Sequence, residues 1–325
     1  MTWRTPEFWS TNGLAAKVLQ PFATFYGWLM RQRWKRSSPE TVDIPVLCVG
    51  NLTVGGAGKT PTALLLGRLL QAEGKRIHFL TRGYGGKLGT PPIQVNTERH
   101  TAGDVGDEAL LLAACAPCWV ATDRFAGAQS AWAAGAELVV MDDGFQNPGL
   151  HKDLSILVVD GAYGFGNGRL FPAGPLRERI ADGFSRADAL LLVGEDQQQI
   201  SEAMPPALLL LNATLAPAGN TQWLQGTRVV AFAGIGRPEK FFSLLEALGA
   251  EIIERFPFPD HHRFRTRDLE RLTAASERQD ALLVTTEKDA VRLPQPFRHQ
   301  VKTVPVEMQL EDPAALRALL KTAGV

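Results

Sequence analysis

The sequence predicts an α/β fold in which a larger domain with a mainly parallel sheet is followed by a smaller α/β domain. Short apolar runs rich in β-branched residues alternate with segments of helical periodicity, a pattern typical of parallel strands joined by helices. The stretch 217–227 is polar and rich in turn-forming residues, and the alternation begins again after it. Residues 1–36 differ in composition, being basic and aromatic. We therefore expect an N-terminal arm at 1–36, a first domain at 37–220 and a second at 221–325.

Composition narrows the class of protein. The 325-residue chain carries 34 Lys and Arg residues and 34 Asp and Glu residues, so its zero net charge indicates no nucleic-acid partner. Three cysteines in this length favour a reducing compartment over a disulfide framework. No feature of the sequence indicates an obligate protein partner.

A glycine-rich stretch follows the first predicted strand, a short apolar run that begins at Val46, and precedes an apolar helix from Thr62 to Leu70. It matches the phosphate-binding pattern G-x-x-x-x-G-K-[ST] except that Thr53 occupies the first glycine position, and it predicts a P-loop NTPase-type sheet. Lys59 is expected to reach the β- and γ-phosphates of ATP, and Thr60 to bind Mg²⁺. A loop that only turned a strand into a helix would not need the lysine. The expected phosphate-binding residues are Thr53, Val54, Gly55, Gly56, Ala57, Gly58, Lys59 and Thr60.

Two pairs of acidic residues adjoin predicted strands or helices of the first domain. Asp142 and Asp143 end the apolar run 138–141, as in the strand that presents a Mg²⁺ ligand in P-loop proteins. Adjacent aspartates repel each other, which favours a bound cation over a structural role. Asp107 and Glu108 fall in the first turn of a predicted helix. For this pair, helix capping and a functional role both remain open.

Further candidates for binding substrate or phosphate lie in loops after predicted strands, at the edge where α/β sheets bind ligands. Arg82 and Tyr84 belong to a glycine-rich loop, and Arg124 follows the predicted strand 118–121. Arg177 and Glu178 end a proline-rich loop. Arg177 has two open interpretations, a phosphate contact or a surface ion pair.

In the second domain, the loop 258–264 contains the adjacent residues His261 and His262. Two histidines can bind a metal ion, but adjacent ones rarely reach the same ion. A surface histidine without a special role is the alternative.

The N-terminal arm has an amphipathic pattern. Leu14, Val18, Phe22, Phe25 and Leu29 recur at helical spacing, and a basic cluster follows them at 31–36. Pro21 should kink the segment or divide it into two helices. Polar residues interrupt the apolar run, which disfavours a transmembrane span. An interfacial anchor on anionic lipid fits the pattern, and a helix packed against the protein's own core is the alternative.

Seven motifs together resemble the tetraacyldisaccharide 4′-kinase family, the lipid A 4′-kinases of Gram-negative bacteria. They run in order from residue 50 to residue 289 and read G-N-L-T-V-G-G-A-G-K-T-P, T-R-G-Y-G, G-D-E, D-D-G-F-Q, P-A-G-P-L-R-E, F-P-D-H-H and T-T-E-K-D. The resemblance implies transfer of the ATP γ-phosphate to the 4′-hydroxyl of a tetraacyldisaccharide 1-phosphate, forming lipid IVA. It also implies peripheral association with the cytoplasmic face of the inner membrane, through the basic aromatic arm.

The resemblance also implies residue roles. Asp107 would pair with His261 to activate the hydroxyl, and because they fall in different predicted domains, we expect domain closure to assemble the site. The metal ligands would be Thr60, Glu108, Asp142 and Asp143, with Lys59 on the phosphates. Arg177 and Glu178 fall in a loop that matters for activity in the family.

Two other functions are compatible with parts of this pattern. One is a P-loop kinase of another small substrate, in which the arm has no evident role. The other is a non-enzymatic nucleotide switch that docks a membrane partner, which would have no need of a base for a sugar hydroxyl.

Overall fold

The structure is a computed structural model that describes residues 6–325; Trp3 and Arg4 of the predicted arm lie outside the described residues. The described chain forms two compact units. One comprises residues 6–215 and 308–325, and the other residues 216–307. Strands and helices are numbered below in chain order.

The larger unit is built on a nine-stranded sheet in the order β13-β8-β7-β6-β1-β5-β2-β4-β3. Its strands are β1 Val46–Gly50, β2 Ile77–Thr81, β3 Ile93–Gln94, β4 Cys118–Val120, β5 Leu138–Asp142, β6 Leu154–Asp160, β7 Ala189–Val193, β8 Leu209–Pro217 and β13 Val306–Leu310. Its helices are α1 Leu14–Val18, α2 Gln20–Arg36, α3 Lys59–Ala72, α4 Ala102–Val105, α5 Asp107–Ala113, α6 Arg124–Ala133, α7 Ile180–Phe184, α8 Ile200–Ala203 and α13 Pro313–Thr322.

The centre of this sheet positions the site. β1 pairs in parallel with β5 on one side and β6 on the other, and all residues of the three strands are buried. Continuous apolar runs are typical of parallel strands covered on both faces. Because parallel strands end at one edge of the sheet, the glycine loop after β1 and the acids that end β5 lie together there.

The smaller unit has a four-stranded parallel sheet in the order β10-β9-β11-β12. Its elements are β9 Arg228–Ala233, α9 Pro238–Ala247, β10 Glu251–Pro257, α10 Thr266–Gln279, β11 Leu282–Thr286, α11 Glu287–Ala290, α12 Gln295–Arg298 and β12 Val301–Val304. One apolar cluster includes Phe242 and Leu245 of α9, and a second includes Leu272 and Ala275 of α10. The alternation predicted for this part of the chain is present.

The C-terminal segment is divided differently from the prediction. The sequence at 301–306 predicts a single strand, but β12 ends at Val304 and a separate strand, β13, joins the sheet of the larger unit. Pro305 lies between them, and a proline cannot donate to a strand ladder. Helix α13 therefore belongs to the larger unit and not to the second domain predicted at 221–325.

The arm forms two helices, as predicted from Pro21, which lies in the first turn of α2. One face of α2 packs against the larger unit, because Ala23 and Gly27 are buried and a β-carbon at Gly27 would lie 2.5 Å from Leu170. The predicted apolar face points the other way, and Phe22 and Phe25 are more than half exposed. Across residues 6–325, every helix is too short or too polar to cross a membrane.

Candidate active site

The glycine loop between β1 and α3 has an open backbone. Gly55 and Gly58 have φ angles of 123° and 96°, in the region that favours glycine. Apart from each glycine and its two chain neighbours, no heavy atom of the described residues lies within 4 Å of a β-carbon built on Gly55 or Gly56. The Val54 N–H donates to the Pro175 carbonyl at 2.8 Å, which fastens the loop to the segment 170–178. This open backbone before a helix N-terminus fits an anionic phosphate group.

Lys59 and Thr60, the first residues of α3, connect this loop to the acids of β5. Both side chains are buried. The Lys59 Nζ lies 3.4 Å from the Gly55 carbonyl oxygen and 3.9 Å from Asp143 Oδ1. The Thr60 hydroxyl donates to Asp142 Oδ2 at 2.8 Å. The predicted phosphate lysine and metal-binding threonine are thus in one place, at the carboxyl edge of the sheet.

Asp142 is the acid that best fits a cation. It is fully buried, and its Oδ1 has no hydrogen-bond partner among the described residues. Burial raises the pKa of Asp142 to about 7, with a contribution from the neighbouring carboxylates of Glu108 and Asp143. A hydroxyl and carboxylates are oxygen ligands of the kind Mg²⁺ prefers.

The predicted metal ligands do not form a complete cage. Within residues 6–325, no three His, Cys, Asp or Glu side chains converge as a metal-binding group. Mg²⁺ commonly takes only one or two carboxylates from the protein and completes its shell with water and substrate phosphates. Asp142 with Thr60 meets that requirement, so the residues present fit a Mg²⁺ ion that is shared with a nucleotide.

Asp143 differs from Asp142 in its partners. Its φ of 53° turns the chain sharply after β5. Arg177 Nη1 donates to Asp143 Oδ1 at 2.8 Å and to Gln146 Oε1 at 3.2 Å. Although burial opposes it, the charges of Lys59 and Arg177 hold the pKa of Asp143 below its usual value. Arg177 therefore forms an ion pair, and this pair lies at the carboxyl edge of the sheet, close to Lys59, and not on a remote surface.

Glu178, a predicted substrate contact, points into the protein. It is buried, forms an ion pair with Arg186 and accepts a hydrogen bond from Gln146 Nε2 at 3.0 Å. Gln146 also donates to the Asn51 carbonyl at 2.8 Å. Sequence reasoning missed Gln146 and Arg186, although Gln146 is the last residue of the D-D-G-F-Q motif.

Arg82 and Tyr84 lie in a loop that is fitted closely to the start of α5. A β-carbon at Gly83 would lie 2.7 Å from the Val105 carbonyl oxygen, and one at Gly106 would lie 2.7 Å from that of Tyr84. Close packing therefore requires a glycine at Gly83 of the R-G-Y-G motif and at Gly106 of the G-D-E motif. Tyr84 is 66% exposed, whereas Asp107 at the start of α5 is 4% exposed.

Arg124, a predicted contact for substrate or phosphate, does not extend into solvent at the edge of the sheet. It is buried, and its Nη1 donates to the carbonyl oxygens of Ala121 and Thr122 at the end of β4. Burial, with the neighbouring charge of Arg82, lowers the pKa of Arg124 to about 10. Its hydrogen bonds hold the main chain at this edge of the sheet.

In the smaller unit the two adjacent histidines have different surroundings. His262 Nε2 lies 3.0 Å from Asp268 Oδ2, and its ring stacks on Phe258 at 4.6 Å, so its role is structural. His261 has a φ of 54°, and its N–H donates to the Gly234 carbonyl at 3.1 Å. The His261 Nε2 lies 3.4 Å from the Lys288 Nζ.

Asp289 supports the loop that carries His261. Its fully buried carboxylate accepts the Gly234 N–H at 3.0 Å and the Thr286 hydroxyl at 2.7 Å, and it lies 3.3 Å from Arg292. Burial raises the pKa of Asp289, while Arg292 opposes that change. These contacts give Thr286 and Asp289 of the T-T-E-K-D motif a structural role. The sequence alone had indicated no role for any residue of this motif.

Replacing Asp289 by alanine should destabilise the smaller unit by about 3 kcal/mol, because it leaves Arg292 buried without its carboxylate. Amide hydrogen exchange in peptides 229–236 and 258–264 measures the effect. The matched control is Glu254→Gln, which removes an exposed ion pair with Arg278 worth at most about 1 kcal/mol. Equal exchange in the two variants would contradict the supporting role.

The fold and this edge of the sheet define a P-loop phosphotransferase: a nucleotide-binding loop, a lysine, and a buried aspartate beside a threonine hydroxyl. The family model for tetraacyldisaccharide-1-P 4′-kinase (LpxK) matches residues 15–324. The chain belongs to this family and is a kinase.

Individual relatives agree with the family. The chain is 50% identical to the tetraacyldisaccharide 4′-kinase of Rhodospirillum rubrum over 98% of this chain and 97% of that protein. It is 51% identical to that of Gluconacetobacter diazotrophicus over 97% and 96% of the two chains. A crystal structure of "apo" form LpxK from Aquifex aeolicus in complex with ATP covers 95% of this chain and 99% of its own, with a TM-score of 0.77 and 27% identity.

Proposed function

We propose that this protein transfers the γ-phosphate of ATP to the 4′-hydroxyl of tetraacyldisaccharide 1-phosphate, forming lipid IVA in lipid A biosynthesis. The observation that carries the proposal is the open glycine backbone beside Lys59 and Asp142, in a chain of this family. Kinases of another small substrate and nucleotide switches, the two alternatives from the sequence, lack this support from the family match.

The phosphates of ATP are proposed to lie along residues 53–60, with Lys59 against the β- and γ-phosphates. Mg²⁺ would be held by Thr60 and Asp142, with Asp143 and Glu108 close by, and it would supply charge neutralisation on the transferring phosphate. Arg177 is held at Asp143 by an ion pair, so it adds a second positive charge beside Lys59 next to the proposed phosphate position. Arg82 and Tyr84 are proposed to contact the acceptor, because their loop borders Asp107 and Tyr84 is exposed.

Asp107 is the proposed base for the 4′-hydroxyl, with His261 as its partner. A sugar hydroxyl is a poor nucleophile, and a positioned base typically accelerates such a reaction by about 10²–10⁴-fold. Asp107 is held by the first turn of α5, where the Glu108 N–H donates to its Oδ1 at 3.0 Å. The main chain of His261 is held by the Gly234 carbonyl, and its ring Nε2 lies 3.4 Å from the Lys288 Nζ.

The activity is tested by transfer of γ-³²P from ATP to tetraacyldisaccharide 1-phosphate in detergent micelles. Labelled lipid whose sugar carries the new phosphate at the 4′-position is the expected product. Label only in inorganic phosphate would support a nucleotide switch, and label in a soluble acceptor alone would support a kinase of another substrate.

The arm is proposed to hold the enzyme on the cytoplasmic face of the inner membrane, where its acylated substrate lies. Leu14, Val18, Phe22 and Phe25 form an exposed apolar surface, and basic residues follow at the end of α2. Apolar side chains entering the interface and basic residues near anionic lipid are the two contributions to such binding.

Replacing Phe22 and Phe25 together by serine should weaken binding to vesicles of anionic phospholipid by at least about 100-fold, because each buried ring contributes about 1.5–3 kcal/mol. Substitution is preferred to removal of the arm, because Trp9 and Ala23 are buried. Cosedimentation with the vesicles measures the effect. Trp132→Ser, at an exposed tryptophan of α6, is the matched control; equal losses in both variants would contradict the proposal.

A further inference from the structure

A continuous set of contacts joins the arm helix to the proposed phosphate site within the larger unit. The Arg186 guanidinium lies 4.0 Å from the centre of the Trp34 ring of α2. Arg186 also pairs with Glu178, and Glu178 accepts from Gln146. Gln146 in turn accepts from Arg177, which binds Asp143. We call this set the arm-to-site network; its members are Trp34, Arg186, Glu178, Gln146, Arg177 and Asp143.

Charge within the network is balanced in a specific way. It contains two carboxylates and two guanidinium groups, and the Gln146 amide lies between the pairs. The Gln146 Oε1 accepts from Arg177, and its Nε2 donates to Glu178, which is 5% exposed at the side chain. Glu178 is adjacent to Arg177 in the chain. A buried Glu178 without a counterion would compete with Asp143 for Arg177.

Arg186 is itself fixed on several sides. Its guanidinium lies 5.1 Å from the centre of the buried Phe145 ring, in addition to Trp34, and its Nη1 donates to the Asp182 carbonyl at 2.9 Å. The Asp182 carboxylate receives two hydrogen bonds from Arg31 of α2, at 3.0 and 3.1 Å. Lys152, the other cation near Trp34, is bound to main-chain carbonyls of 147 and 150 and does not replace Arg186.

We propose that Arg186 is a positioning residue for phosphoryl transfer: by neutralising Glu178 and stacking on Trp34, it keeps Arg177 directed to Asp143. Because Trp34 belongs to α2, the same contacts make the position of Arg177 depend on how α2 packs against the rest of the larger unit. The proposal rests on the role proposed above for Asp143 beside the nucleotide. Glu178 then acts through Arg186 and Gln146 and does not touch the substrate.

The test compares Arg186→Gln, Glu178→Gln and the double variant, with kcat and the KM for MgATP measured separately. Arg186→Gln should lower kcat/KM for MgATP by about 10–100-fold, as loss of an outer supporting contact typically does. Adding Glu178→Gln to that variant removes the carboxylate that was left without a counterion and should restore most of the lost kcat/KM. The expected coupling between the two substitutions is about tenfold or more in kcat/KM. The matched controls are Arg76→Gln, Glu137→Gln and their double variant, which alter an exposed ion pair and should show no such coupling.

A ring at position 34 provides the second test. Trp34→Leu should reduce kcat/KM in the same direction as Arg186→Gln, and Trp34→Phe should recover part of it, because the ring contact is kept. Thermal unfolding of each variant separates this effect from a general loss of stability. A loss of stability without any change in kcat or KM would overturn the positioning role.

The outcomes also separate this proposal from the function on which it rests. A double variant no more active than Arg186→Gln alone would overturn the charge-neutralising role. Asp143→Asn is measured alongside: full activity of that variant would contradict the proposed role of Asp143 beside the nucleotide, on which this proposal rests. Loss of activity in Asp143→Asn, with unchanged kinetics in Arg186→Gln, would contradict only the positioning role of Arg186.

Discussion

Replacing Asp107 by asparagine should lower kcat by about 10²–10⁴-fold, because the amide keeps the shape of the side chain but cannot accept the proton of the 4′-hydroxyl. The KM for ATP should change little, since Asp107 is proposed to act on the acceptor and not on the nucleotide. Transfer of γ-³²P to the tetraacyldisaccharide in micelles measures kcat directly. The additional variant His261→Ala tests the partner: if the two act as a unit, the double variant should be about as active as the worse single one.

Asp104 provides the matched control for this prediction. It lies three residues earlier and caps α4 through hydrogen bonds from Thr101 at 2.7 and 2.9 Å. Asp104→Asn should weaken only this capping box and leave turnover near that of the wild type. Turnover of Asp107→Asn within a few-fold of the control would place the base elsewhere.

Replacing Lys59 by methionine should lower kcat by about 10²–10³-fold or more, because the γ-phosphate then transfers without the cation that neutralises its developing charge. Methionine has a similar length and fits a buried position, so the change chiefly removes charge. Lys59 also faces Asp143 at 3.9 Å, and its loss leaves the ion pair between Arg177 and Asp143 in place. Calorimetric titration with MgATP, together with single-turnover transfer, separates binding from chemistry.

Lys75 at the far end of α3 is the control, since it is exposed and follows the helix. Lys75→Met should bind MgATP and transfer phosphate as the wild type does. If Lys59→Met kept its single-turnover rate and lost only affinity, Lys59 would contribute to binding and not to the transition state.

The local features of this protein could be predicted from the sequence because their causes are local. The glycine loop, the helix after it and the acids that end β5 each follow from neighbouring residues, and the structure places them together at one sheet edge. The edge strand β3 was missed, because two residues are too few to show a period of two.

Partners far apart in the chain were decided only by the tertiary structure. Glu178 was predicted as a substrate contact, yet it is buried and forms an ion pair with Arg186. Arg186 in turn stacks on the ring of Trp34, which lies 152 positions before it in the chain. Nothing in the spacing of these residues indicates that they meet.

The sequence by itself determined the α/β class, the P-loop and the family, because periodicity, glycine placement and short motifs are properties of contiguous residues. The tertiary structure decided which arginine forms an ion pair with each carboxylate: Arg177 with Asp143, Arg186 with Glu178 and Arg292 with Asp289. It also decided that the strand after Pro305 joins the larger sheet. The physical reason is that a buried charge or strand edge is satisfied by whatever the fold brings next to it.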